Sequence, residues 1–120
     1  MDRKALTRDY KQSRTPMGIY RVLNRANGKA LVGSSVNLPA ILRRHRFQLE
    51  AAMHQNRTLQ ADWQAYGPEA FEFEVLDVLE PFDRSDYNPA DDLQALEELW
   101  LDKLSPFENN GYNSRPKKVI

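Results

Sequence analysis

Residues 18–24 (GIYRVLN) set Ile19, Arg21 and Leu23 against Tyr20 and Val22, the two-residue alternation of a strand. Asn27-Gly28 follows, the dipeptide preferred in tight hairpin turns because it accepts positive φ, and KALVGSS (29–35) reads as the return strand. The period then changes. From Leu38 to Met53, residues Leu38, Ile41, Leu42, Leu49, Ala52 and Met53 fall on one side of a helix at about 100° per residue, with Asn37 as N-cap and Pro39 in the first turn, where no donor is needed.

RTLQADWQAY (57–66) predicts a shorter helix, closed by Gly67 as C-cap and by Pro68. FEFEVLDVL (71–79) alternates Phe71, Phe73 and Val75 with Glu72 and Glu74, a third strand with one wet face. An acidic, Pro-containing connector (80–92) leads to a last helix over Leu93–Leu104, ended by Pro106. The expected fold is a small α/β domain: a three-stranded, largely antiparallel sheet flanked by helices on both faces. Residues 1–16 read as a polar N-terminal arm or short helix, 17–114 as the domain and 115–120 as a basic tail.

Two ionisable residues break this pattern. His45 lies near the middle of the first helix's apolar side, and Glu97 projects from inside the stripe Leu93, Leu96, Trp100, Leu101 and Leu104. A carboxylate on an apolar face is costly unless a cation, a metal ion or several donors compensate it. A histidine there can be satisfied by a backbone carbonyl inside a core, so each residue alone has an ordinary structural explanation. Together with Tyr20 in a strand beside a glycine, they suggest a shared pocket.

The residues that define this pocket also carry a resemblance. Gly18-Ile19-Tyr20 is followed by Leu31-Val32-Gly33, then SSVNL, LRRH, LQADWQAYGPEAFEFEVL, LEELWLDKL and NGYN, over roughly residues 17–114. In order and spacing this resembles the GIY-YIG endonucleases, and most of all their short phage-type nuclease domains. The resemblance implies a metal-dependent phosphodiester hydrolase with one divalent ion, Mg²⁺ or Mn²⁺. It implies Glu97 as metal ligand, Tyr20 as the hairpin tyrosine that helps activate water, His45 as the helix histidine that assists proton transfer, and Asn113 as a closing polar residue. His54 falls where phage-type members have a histidine, or is a solvated residue at a helix end. Lys29, Arg43, Arg44, Arg46, His54 and Asn113 are the expected nucleic-acid contacts. Two positions depart from the family pattern: Leu31 replaces its second tyrosine, and Ile41 replaces the first-helix arginine that stabilises the phosphate. Impaired hydrolysis is therefore expected, unless Arg44, about 60° round the helix from Ile41, serves instead. A non-catalytic interaction module on the same scaffold is the alternative.

Charge sharpens the picture. The chain of 120 residues is formally neutral, yet residues 1–60 hold 12 Lys/Arg against 3 Asp/Glu, whereas 61–120 hold 5 against 14. A basic half can attract a polyanion, and nucleic acid, DNA rather than RNA, is the expected partner. The two halves can equally neutralise each other across the fold, and the acidic connector can serve a protein partner. An apolar share of 41% supports one packed core. No apolar run approaches the roughly 18–20 residues that span a bilayer, and no basic leader precedes an apolar block. With no cysteine and two histidines, disulfides and thiolate metal sites are excluded, and a reducing cytoplasm is the expected location.

Overall fold

The computed structural model describes residues 15–80 and 88–115. The elements run β1 (Gly18–Asn24), β2 (Ala30–Ser35), α1 (Leu38–Glu50), α2 (Arg57–Tyr66), β3 (Phe71–Val78) and α3 (Ala90–Leu104), with short 3₁₀ turns at Pro68–Ala70 and Glu108–Asn110. The sheet order is β2-β1-β3, antiparallel throughout. The three-stranded antiparallel α/β architecture expected from the sequence is therefore the one observed. The arm before residue 15, residues 81–87 of the acidic connector and the tail after residue 115 lie outside the described residues.

As the central strand, β1 is covered on both faces, and its alternation sorts residues between two cores. Val22 points into a cluster with Leu49, Leu59, Trp63, Phe71 and Tyr112, roofed by α1 and α2. Ile19 points the other way, joining Ala30 and Val32 against Leu96, Trp100, Leu101 and Leu104 of α3. The stripe predicted for the last helix is thus the surface that packs. Burying side chains of this size stabilises the fold by about 1.5–3 kcal/mol each, so both helical layers are tied to one hairpin.

Asn37 caps α1 as expected, its side chain accepting from Ala40 N–H at 3.0 Å. Asn56 caps α2 in the same way, accepting from Leu59 N–H at 3.1 Å, and Gly67 closes that helix with φ +84°. Three expectations are corrected. First, α1 ends at Glu50 rather than Met53, because Ala52 turns into the left-handed region at φ 59°; Met53 is then exposed instead of lying on the apolar stripe. Second, α3 begins at Ala90 rather than Leu93. The Asn88 side chain accepts from Ala90 N–H, and Asp91 and Asp92 occupy the first turn, where the helix dipole favours anions. Third, the faces of β3 are less clean than the alternation implied. A bulge shifts the register, pairing Ile19 with Asp77 but Tyr20 with Val75. Val75 is exposed, Leu76 joins the α3 core, and Glu74 is half-buried in an ion pair with Arg21 at 2.5 Å. That pair joins the basic half of the chain to the acidic half.

The outer edge of β2 is covered by the end of the domain. Tyr112 N–H donates to Ala30 C=O at 2.9 Å, and the Asn113 amide pairs with both polar groups of Val32, accepting from its N–H at 2.8 Å and donating to its C=O at 2.7 Å. A side chain here imitates a neighbouring strand and satisfies an edge that would otherwise be open to another chain.

Candidate active site

Tyr20 and Gly33 are directly opposite across the hairpin. A Cβ at Gly33 would sit 2.6 Å from the Tyr20 hydroxyl oxygen and 2.8 Å from Cζ, so the ring lies over the glycine and needs its missing side chain. The ring thereby reaches across the edge strand. Its hydroxyl meets His45 Nε2 of α1 at 2.9 Å, and His45 Nδ1 meets His54 Nε2 at 2.8 Å. His54 stands in the α1–α2 loop, not at a helix end, and its Nδ1 accepts from Asn56 N–H at 3.0 Å. Gln60 fixes the loop from beneath, accepting from His54 N–H and donating to Leu49 C=O, each at 3.0 Å.

Half-buried Glu97 comes from α3, on the far face of the sheet, yet its charge is felt at Tyr20. Burial first, and the negative Glu97 second, push the Tyr20 hydroxyl up to about 12. His45 is lowered to about 4, chiefly by burial, then by His54 and by the positive charge of Arg44. Burial also lowers His54. The imidazoles are thus neutral near pH 7.

Between the ordinary histidine value of 6.5 and about 4, the unfolded chain takes up a proton at residue 45 that the folded chain refuses. Stability therefore falls as pH drops through that window. Thermal unfolding across it is expected to show a steeper acid loss for the wild type than for His45→Asn; identical slopes would mean that His45 is not held neutral by the fold.

Solved structures locate this arrangement among known folds. The chain is similar to the catalytic domain of the homing endonuclease I-TevI, with 29% identity over 83% of this chain and 99% of that one at a TM-score of 0.67. A mutant of the same catalytic domain of intron endonuclease I-TevI matches at 27% identity over 82% of this chain and 93% of that one, also at 0.67. This is a GIY-YIG-like fold. No protein-family model matches the chain, and no curated protein matches it significantly.

Two glycines of the hairpin now have physical roles. Gly18 holds φ +156° and a Cβ there would lie 2.0 Å from the Asp77 carbonyl oxygen, so β3 can close on β1 only at a glycine. Gly33 makes room for Tyr20. In Gly33→Ala the tyrosine has to move while β1 and β2 stay paired, breaking its contact with His45. Displacements of about 1 Å at a reacting centre cost roughly a hundredfold in rate. Any basal cleavage is expected to fall by that factor with little change in unfolding temperature; unchanged cleavage would show that the Tyr20–His45 contact is dispensable.

The two departures are equally clear in space. Leu31 packs against the α1–α2 core as an ordinary apolar residue. Ile41 is half-buried on α1, one turn before His45 and on the same side. Arg43, Arg44 and Arg46 are all exposed. Arg46 lies over the Phe73 ring at 4.9 Å, and with Arg43 it lines a cavity of about 350 Å³ beside Leu42, Phe71, Glu72 and Phe73. Lys29 stands at the turn end of the hairpin, four residues from Gly33, and so roughly 13 Å along the strand from Tyr20. The structure therefore brings together Tyr20, His45 and His54 by contact and Glu97 by charge. It leaves Lys29 apart, and engages the Asn113 amide with Val32.

Asn56 and Gln60, which hold His54, had no signal in the sequence beyond the helix-cap position of Asn56. Among the described residues no cluster of three or more His, Cys, Asp or Glu could hold a metal ion. Nor does any described helix have the length and apolarity to cross a membrane.

Proposed function

We propose that this chain is a metal-dependent nuclease-type domain that binds nucleic acid, DNA rather than RNA, and hydrolyses phosphodiesters slowly. The observation that carries the proposal is the Tyr20–His45–His54 contact, with Glu97 acting on the same tyrosine, in a GIY-YIG-like scaffold.

The donor set suits one hard cation. Glu97 makes no ion pair or hydrogen bond among the described residues, so its carboxylate is available, and Mg²⁺ or Mn²⁺ held by one carboxylate keeps several waters. When bound, such an ion supplies charge neutralisation at the phosphoryl oxygens and a more acidic water. The chain's own residues do the rest. Tyr20 offers a hydroxyl that can exchange a proton with the attacking water or the leaving oxygen. His45 holds that hydroxyl in place, and α1 presents Arg43, Arg44 and Arg46 to backbone phosphates. With isoleucine at 41, the phosphate lacks a cationic clamp within the site, which accounts for slow turnover. The cysteine-free chain suits the cytoplasm.

The test uses purified protein with single- and double-stranded DNA and RNA, with and without Mg²⁺ or Mn²⁺. Weak cleavage that chelation abolishes is expected, together with binding that weakens steeply as salt rises. Binding without any cleavage would favour a second reading, a non-catalytic module, to which the apolar Leu31 and Ile41 lend support. Absence of binding at low salt would turn that module toward a protein partner and end the nuclease proposal.

A further inference from the structure

We infer that His54 is a positioning residue: it fixes the tautomer of His45, and so makes that imidazole a donor to the Tyr20 hydroxyl. This deepens the nuclease proposal, but its central claim concerns where protons sit, which can be observed with no substrate present.

One group in this chain of contacts cannot change its role. The Asn56 backbone N–H is a donor under all conditions, and it meets His54 Nδ1 at 3.0 Å. That nitrogen must present its lone pair, so the His54 proton sits on Nε2. His54 Nε2 in turn meets His45 Nδ1 at 2.8 Å, so His45 Nδ1 must accept and the His45 proton sits on its own Nε2. His45 Nε2 meets the Tyr20 oxygen at 2.9 Å, so the imidazole donates and the phenol accepts. The hydroxyl hydrogen then has no place along that line.

Every other arrangement sets two N–H groups face to face. Shifting the chain by one proton, so that Tyr20 donates to His45, would place a hydrogen on His54 Nδ1 against the Asn56 N–H. Adding a proton to either imidazole produces the same conflict at one of the two nitrogens that accept. Burial, which keeps both rings neutral, acts in the same direction.

The starting point is also firmly held. Asn56 caps α2, its side chain accepting from Leu59 N–H and donating to Tyr112 C=O at 2.6 Å, while Gln60 clamps the His54 backbone. The two imidazole planes lie 23° apart with centroids at 5.0 Å, so the nitrogens face each other edge to edge. While His45 carries its proton on Nε2, it cannot take up the proton of Tyr20. The His45 N–H remains as a fixed donor to the oxygen left behind.

Imidazole ¹H–¹⁵N correlation spectra of labelled protein at neutral pH decide the matter. Both His45 and His54 are expected as the Nε2–H tautomer; a His45 carrying its proton on Nδ1 overturns the inference. In His54→Ala, His45 is expected to lose its single tautomer, and in His54→Gln, whose amide can donate from a similar place, to recover it. A His45 tautomer unchanged in His54→Ala also overturns it. Where basal cleavage is measurable, His54→Ala should lower kcat about a hundredfold with KM little altered, and His54→Gln should restore most of it. The expected spectra without cleavage in any variant would sustain the positioning role and count against the nuclease proposal instead.

Discussion

Replacing Ile41 by arginine is expected to raise metal-dependent phosphodiester cleavage about a thousandfold, the amount typically lost when a charge-stabilising donor or cation is removed from such a site. Ile41 is half-buried on α1, four residues before His45, and belongs to neither packed core. The substitution therefore places a guanidinium one helical turn from the imidazole at little cost to the fold. The gain should fall on kcat rather than KM, because a clamp that tightens on the pentacoordinate phosphate acts in the transition state. Arg44 supplies the control. Its charge already reaches His45, so it is the residue best placed to have taken over the missing role. If Arg44→Ala abolishes basal cleavage and Ile41→Arg adds nothing, the cation has moved along the helix. If Ile41→Arg restores cleavage with Arg44 either present or absent, the clamp was simply missing. Cleavage absent in every combination would remove catalysis from the account of this chain.

How much of this was legible beforehand depends on the range of the interaction involved. The hairpin was readable because Asn27-Gly28 and the two-residue alternation are local, and α1 started where Asn37 could cap it. The α3 stripe was readable because its period is local too, and Glu97 stood out for violating it. The α1 terminus was misplaced because the sequence EAAM keeps good helix propensity. What ends the helix is the turn at Ala52 and the loop held by Gln60, both set by contacts after the helix. His54 was named through the resemblance, but its contacts were not readable. Its partners are a nitrogen on another element and the backbone of residue 56, and no spacing encodes either. The β3 bulge was hidden for the same reason: alternation cannot show where register slips.

The fold has one further consequence for the site. Tyr20 and His45 lie on the α1 side of the sheet, whereas Glu97 belongs to α3 on the other side, and β2 is the edge strand next to Tyr20. Gly33 opens that edge to the tyrosine ring. Nearby, the Asn113 amide seals the same strand at Val32. The Tyr20–His45 contact is thus built across an edge strand that has one glycine gap and one side-chain seal.

Glu97→Gln should therefore separate catalysis from assembly. Glutamine keeps the size of the side chain but cannot act as an anionic ligand, so metal-dependent cleavage is expected to fall on the order of a thousandfold or below detection. Nucleic-acid affinity should hold or rise slightly, since a negative charge leaves a surface that meets a polyanion. The same variant also reports on geometry without any turnover. Because Glu97 helps push the Tyr20 hydroxyl up to about 12, its neutralisation should let that hydroxyl titrate at lower pH, with burial still holding it above an ordinary phenol. A titration of ring-labelled tyrosine measures this directly. Persisting cleavage would remove Glu97 from the metal site, and an unmoved Tyr20 titration would mean that α3 does not bring its carboxylate to the hairpin at all.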